Sequence, residues 1–277
     1  MASSESGAGV KPGATSKHRF FYGWVVLAAA FLATAVAFGN QYSAGVLLKP
    51  IINEFGWTRA MTAGAFSLGY ITNGIAAIVL GGLTDRYGPR KTVLLGGLLL
   101  GTGLLLSART HSLWQFYVYY GVMVGMGAGG VYVSLASVVA RWFDKLRGLA
   151  LGITAGGIGA GTLIFSPIVG QVNATMGWRS AYMVLGIVAL VVIAACSLLL
   201  VGTPQSRGLL PYGSKGEAAT VAVGRPAASA RSSTFLRAVQ SLPFWLLAFI
   251  YAGEALGRFV VMTHVVAYST DIGIAPL

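Results

Sequence analysis

The chain has 277 residues, of which 56% are hydrophobic and 9% charged, and its mean hydropathy is +0.74. An average soluble domain carries about 25% charged residues, so too few charges remain here to coat a soluble surface, and the apolar residues fall in long blocks. A disordered chain, a disulfide scaffold (the single cysteine, Cys196, lies in an apolar run), an ordinary cytosolic enzyme and a nucleic-acid-binding domain are excluded, despite the net charge of +12 and pI near 10.1. The composition is that of an all-α polytopic membrane protein.

A helix needs about 20 apolar residues to cross the hydrocarbon core. Seven segments meet that length: 21–48, 58–83, 92–108, 113–140, 148–172, 181–201 and 242–270. They are too long for barrel strands and lack period-2 alternation. Residues 1–18 read as a disordered tail, and 19–201 as a six-helix transmembrane bundle. Residues 202–241, rich in Gly, Ser, Ala, Pro and Arg, read as a mobile cytoplasmic linker. Residues 242–277 hold a seventh helix that opens an incomplete second bundle.

The basic residues set the orientation. Lys11, Lys17 and Arg19 precede span 1, while Arg86, Arg90 and Lys91 follow span 2. Arg141, Lys145 and Arg147 follow span 4, and Arg207, Lys215, Arg225, Arg231 and Arg237 follow span 6. These fourteen share one side; Lys49, Arg59, Arg109 and Arg179 lie on the other. Retained basic residues mark the cytoplasmic face. The reading is therefore a multi-pass protein of the cell (cytoplasmic) membrane with its amino terminus inside. Tyr22, Trp24, Trp57, Trp114, Trp142 and Trp178 sit at span ends, as interfacial aromatics do.

Between spans 2 and 3 runs Gly81-Gly82-Leu83-Thr84-Asp85-Arg86-Tyr87-Gly88-Pro89-Arg90-Lys91. It reads as a short charged turn. Gly81 permits close helix approach, and Gly88 with Pro89 forces the reversal. Asp85 is an acid among bases and calls for a partner, either a basic side chain or a helix amino terminus. Gly81, Asp85, Arg86, Gly88, Arg90 and Lys91 are the candidate conformational latch. Spans 4 and 5 are dense in glycine, with Gly148, Gly152 and Gly156 at four-residue spacing, which suits close helix packing or sliding in lipid. Ser166-Pro167 adds an expected kink to span 5.

Polar residues at membrane depth are expensive unless they face an interior or a cavity. Gln41 and Tyr42 in span 1, Tyr70 and Asn73 in span 2, and Tyr132 in span 4 are candidate substrate-pathway residues. Interhelical hydrogen bonding explains them equally well. Span 7 holds Glu254 and Arg258, an i, i+4 pair with Tyr251 one turn earlier. They either neutralise one another or supply positive potential for a carboxylate (Arg258) and proton coupling (Glu254).

The loop after span 2 resembles that of the major facilitator superfamily. Phe21-Tyr22-Gly23-Trp24, Phe55-Gly56-Trp57-Thr58-Arg59 and Arg141-Trp142-Phe143 with Arg147-Gly148-Leu149-Ala150 are similar to the oxalate/formate antiporters and monocarboxylate transporters. The resemblance runs from about residue 20 to the end. It implies twelve helices in two halves, so the chain is expected to be truncated after helix 7, without the helix 8 arginine that binds substrate and the second-half partner of the Asp85 motif. It also places a substrate-facing aromatic where Tyr132 stands. The function implied is secondary active transport of small organic anions, mono- or dicarboxylates of the formate, oxalate or lactate class. Transport would run by alternating access, as antiport or symport with a counter-anion or protons.

A non-transporting membrane fragment is the main alternative. A seven-helix receptor or pump fits the helix count but not the orientation, and span 7 has no lysine for retinal. No nucleophile–base set, metal-ligand motif or phosphate loop appears, so no enzyme, metal or cofactor is expected, and the partners are the anion and the bilayer.

Overall fold

The computed structural model describes residues 21–214, 239–253 and 257. Six helices follow from the apolar blocks, because a chain in lipid must satisfy its backbone groups within itself. They are α1 (Gly23–Phe55), α2 (Arg59–Tyr87), α3 (Pro89–Ser107), α4 (Leu113–Trp142), α5 (residues 147–176) and α6 (residues 178–199). A seventh, α7 (Leu242–Gly253), forms a separate unit, and its Trp245 indole donates to the Val239 carbonyl at 2.9 Å.

The turns explain themselves locally. Gly56 ends α1 in the left-handed region (φ 67°), its amide returning to the Ile52 carbonyl at 2.9 Å. Thr58 then starts α2 by accepting the Met61 amide at 3.2 Å. The loop expected around Asp85 is mostly helix. α2 runs through Tyr87, α3 starts at Pro89, and Gly88 alone is non-helical (φ 86°, ψ 155°). Proline suits a first helical position, where its missing N–H is no loss.

α5 and α6 are continuous but for Gly177 (φ 81°, ψ 166°). As one straight rod the 53 residues would reach about 80 Å, well over twice the hydrocarbon thickness. They do not. The Tyr22 hydroxyl, at the start of α1, donates to the Leu199 carbonyl at 2.9 Å, and the Trp142 indole donates to Val201 at 2.7 Å. Residue 199 has therefore returned to the end of the bundle where α5 began. Pro167, where a kink is expected, stays within α5, which continues nine residues past it, and Gly177 makes the reversal.

Small residues set the packing. A methyl group added to Gly157 or Gly161 of α5 would meet the backbone of Phe31 and Ala35 on α1. α4 lies between α2 and α3, with Gly121, Gly125 and Gly129 against Ala65, Gly69 and Asn73, and Gly127 against Gly96 and Leu100. By contrast, nothing lies within 4 Å of Gly148, Gly152, Gly156 and Gly159, which form an open stripe on α5.

Of the mobile linker expected at 202–241, residues 215–238 lie outside the described residues and the first part is ordered. Residues 201–214 are folded onto the bundle. The Tyr212 amide donates to Trp142 O (2.9 Å), and Tyr212 O accepts from Asp144 and Lys145 (3.2 and 3.1 Å). The Tyr212 ring packs with Phe21, Trp24 and Phe143, and Arg207 sits 3.6 Å above the Tyr22 ring. Aromatic contact and backbone pairing offset the chain entropy that composition alone suggested would win.

Candidate functional site

At the Gly88 end of the bundle, the acid of the motif has its partner. Arg141, in the last turn of α4, places Nη2 2.9 Å from Asp85 Oδ1 and 2.9 Å from Ser137 Oγ. One turn deeper, Thr84 and Ser134 join hydroxyls at 2.6 Å, fully buried. Gly81 packs its backbone against Val133, as a close approach requires. The motif thus clasps α2 to α4. Arg86 lies over the Tyr87 ring at 5.3 Å, and Arg90 and Lys91 stand exposed on the first turn of α3. Both members of the Asp85–Arg141 pair are about half exposed, which limits the pair to roughly 0–1 kcal/mol of stability.

The proposed pathway residues separate. Gln41 is buried at the middle of α1, its carbonyl accepting the Tyr120 hydroxyl at 3.4 Å. Its side-chain oxygen, both polar atoms of neighbouring Asn40, and the Thr34 hydroxyl are buried with no hydrogen-bond partner among the described residues. Tyr132 on α4 meets Phe38 of α1 edge-on, ring centroids 5.5 Å apart. Tyr70 is exposed on α2, and Asn73, three residues on, is half-buried with its backbone against Gly129. Tyr42 belongs to α1, but its side chain lies outside the described residues, as do Glu254 and Arg258. Gln41 and Tyr132 thus share the α1–α4 contact, while Tyr70 and Asn73 belong to α2.

The opposite end carries a cluster that motif reading missed. Glu54, near the end of α1, accepts the Trp178 indole N–H at 2.6 Å and pairs with Arg179. Arg179 lies 4.4 Å from the Trp178 ring centroid and 5.7 Å from that of Phe55, and reaches the Thr110 carbonyl between α3 and α4. Phe55 stacks on Trp57 at 4.3 Å. The available signals were the repeated Gly-Trp at 56–57 and 177–178, and the scarcity of acids, seven in the whole chain. Beside this cluster is an open pocket of about 500 Å³ bordered by Lys49, Asn53, Asn173 and Trp178, none of them a predicted pathway residue. Among the described residues no three His, Cys, Asp or Glu gather as metal ligands.

Among the described residues five helices are long and apolar enough to cross a membrane when α5 and α6 count as one, and the chain is a multi-pass membrane protein. Its fold is similar to that of a bacterial homologue of the human lysosomal transporter Spinster (TM-score 0.65, 18% identity, covering 97% of this chain and 58% of that one). It is also similar to the peptide transporter POT in complex with alafosfalin (TM-score 0.54, 22% identity, covering 87% and 50%). In sequence it is 31% identical over 258 residues to human monocarboxylate transporter 11, covering 91% of this chain and 50% of the relative. It is 34% identical over 179 residues to the mouse protein of that name (65% and 40%) and 27% identical over 260 residues to bovine monocarboxylate transporter 13 (92% and 56%). The chain thus spans about half the length of the curated relatives it matches. Residues 30–277 match the Major Facilitator Superfamily, and with the helical fold and the Asp85 motif already in place, the chain belongs to that superfamily of membrane transporters.

Proposed function

We propose that the chain contributes its bundle to a secondary active transporter of small organic anions of the mono- or dicarboxylate class. The bundle would rock against a second one about a midplane site. The observation that carries the reading is the 31% identity over 258 residues to a monocarboxylate transporter. The structure supports it at two levels. The Asn40 amide and the Gln41 side-chain oxygen, without partners among the described residues, stand near the middle of the 33-residue α1, the depth at which such carriers hold substrate. Buried polar groups are normally hydrogen-bonded, so orphans at that depth belong with function rather than with stability. The Asp85–Arg141 pair, weak and half exposed, suits a contact that is made and broken in a cycle.

In this reading Gln41, Tyr42, Tyr70, Asn73 and Tyr132 line the pathway, and Arg258 supplies positive potential for a carboxylate while Glu254 couples protons. The protein would reside in the cell membrane with its amino terminus in the cytoplasm, the side on which fourteen basic residues fall. Energy comes from a proton or counter-anion gradient. The test is uptake of labelled formate, oxalate and lactate into proteoliposomes holding the protein, with and without the region its relatives carry beyond residue 277. Saturable, trans-stimulated uptake of any of the three supports the reading. Uptake no faster than in protein-free vesicles from both forms rejects it, and uptake from the longer form alone makes this chain on its own a non-transporting fragment.

A further inference from the structure

α4 is not wound uniformly. Residues Tyr117–Val124 form a π-helix between the α-helical turns Leu113–Phe116 and Gly125–Trp142. A π turn carries one more residue than an α turn and leaves the normal i to i−4 ladder. At its end the Gly125 amide turns to the Val122 carbonyl, although an α-helix would send it to Gly121. Gly121 O receives a hydrogen from across the interface instead: Thr72 Oγ1 of α2 lies 2.6 Å from it. The same hydroxyl is 3.1 Å from Leu68 O and from Gly69 O, the carbonyls a helical threonine ordinarily uses. It has one proton to give, and the shortest contact is the one between helices.

The surroundings fix that contact. Gly69, Gly121 and Gly125 let the two backbones touch. The Tyr117 hydroxyl, at the start of the π segment, donates to the Met61 carbonyl of α2 at 2.9 Å. Downstream on the same pair of helices lie Thr84 with Ser134, then Asp85 with Arg141. Relaxing the π turn to α would rotate all of α4 beyond it by about 100° and shift it about 1.5 Å. Ser134 and Arg141 would then leave their partners, and residue 133 would come to the angular position of 134.

We propose that Thr72 is a positioning residue that sets the register of α4: its hydroxyl, given to Gly121 O, holds the helix in the π-wound form that brings Ser134 to Thr84 and Arg141 to Asp85. The proposal goes beyond the transport reading and does not need it, because its readout is helix register. Failure of carboxylate uptake leaves it standing, and its own failure leaves that reading untouched.

The test uses two cysteine pairs in the full chain with Cys196→Ala: Thr84→Cys with Ser134→Cys, and Thr84→Cys with Val133→Cys. Each pair is combined with Thr72, Thr72→Val or Thr72→Ser, and disulfide yield after mild oxidation is read by peptide mass spectrometry. Valine keeps the shape and loses the donor; serine keeps the donor. The 84–134 disulfide is expected to dominate with threonine or serine. With valine its yield falls about fivefold, the scale of one net hydrogen bond, and the 84–133 disulfide rises in its place. Unchanged 84–134 yield in Thr72→Val, loss of both disulfides without exchange, or an exchange that serine does not reverse would each overturn the proposal.

Discussion

The two ends of the bundle are built on the same device and differ in how firmly it is closed. Gly88 and Gly177 reverse the chain in nearly the same conformation (φ 86°, ψ 155° and φ 81°, ψ 166°) with no intervening loop. Beside each lies one carboxylate paired with one arginine. At the Gly177 end, Glu54 also holds the Trp178 indole, and Arg179 lies near the Trp178 and Phe55 rings and reaches the α3–α4 loop. At the Gly88 end, Asp85 is held by Arg141, which also contacts Ser137. The Glu54 cluster joins α1, α6 and the α3–α4 loop, whereas the Asp85–Arg141 pair joins two helices, α2 and α4.

The reversals themselves give the largest expected effects. Gly177→Ala and Gly88→Ala place a side chain in a backbone region essentially restricted to glycine, each costing about 1–3 kcal/mol. Thermal unfolding in detergent should show a clear fall in midpoint for both. A neutral Gly177→Ala would mean that the helix reversal is not held as described. Next comes Glu54→Gln, which leaves Arg179 and the Trp178 N–H without their anion and is expected to destabilise by about 1 kcal/mol, hydrogen bonds to charged groups being discounted here for partial exposure. If Glu54→Gln proves no more destabilising than Asp85→Asn in the same assay, the two ends are not distinct in firmness.

Much of this contrast was legible in the residues, and the reason is physical. Apolar blocks near 20 residues long must become membrane helices, so the six spans of residues 21–201 follow from length alone. Asp85 stood out because it is an acid in a basic stretch, and its need for a partner follows from charge. Arg141 itself could not be named, because a pairing 56 positions away depends on how α2 lies on α4. Glu54 could not be paired for the same reason: its partners are 124 and 125 positions away, and the nearby Gly56-Trp57 marks only a turn. The strap at 201–214 was misread because its composition is that of a flexible segment, while its order comes from Tyr212 entering rings contributed by residues 21, 24 and 143. The Gly177 reversal falls between the expected spans 148–172 and 181–201, and only a glycine readily takes φ near +80° with ψ near 160°.

That strap sharpens the comparison at the Gly88 end. Tyr212→Ala removes the ring that seats the strap and is expected to free the α4–α5 connection. Limited proteolysis with trypsin should then cut at Lys145 and Arg147 several-fold faster than in the parent, while the Gly177 end, probed at Arg179, keeps its rate. Equal rates at all three sites in both proteins would show that the strap does not hold the connection.

The smallest effect on stability is expected for Asp85→Asn, at most about 1 kcal/mol, and its larger effect is expected on transport. Turnover of labelled carboxylate and its equilibrium binding are to be measured side by side on the complete carrier in proteoliposomes. Asp85→Asn is expected to lower turnover at least about tenfold, equivalent to about 1.4 kcal/mol on the barrier, while binding stays within about twofold of the parent. Equal losses of turnover and binding, or no loss of turnover, would contradict this expectation.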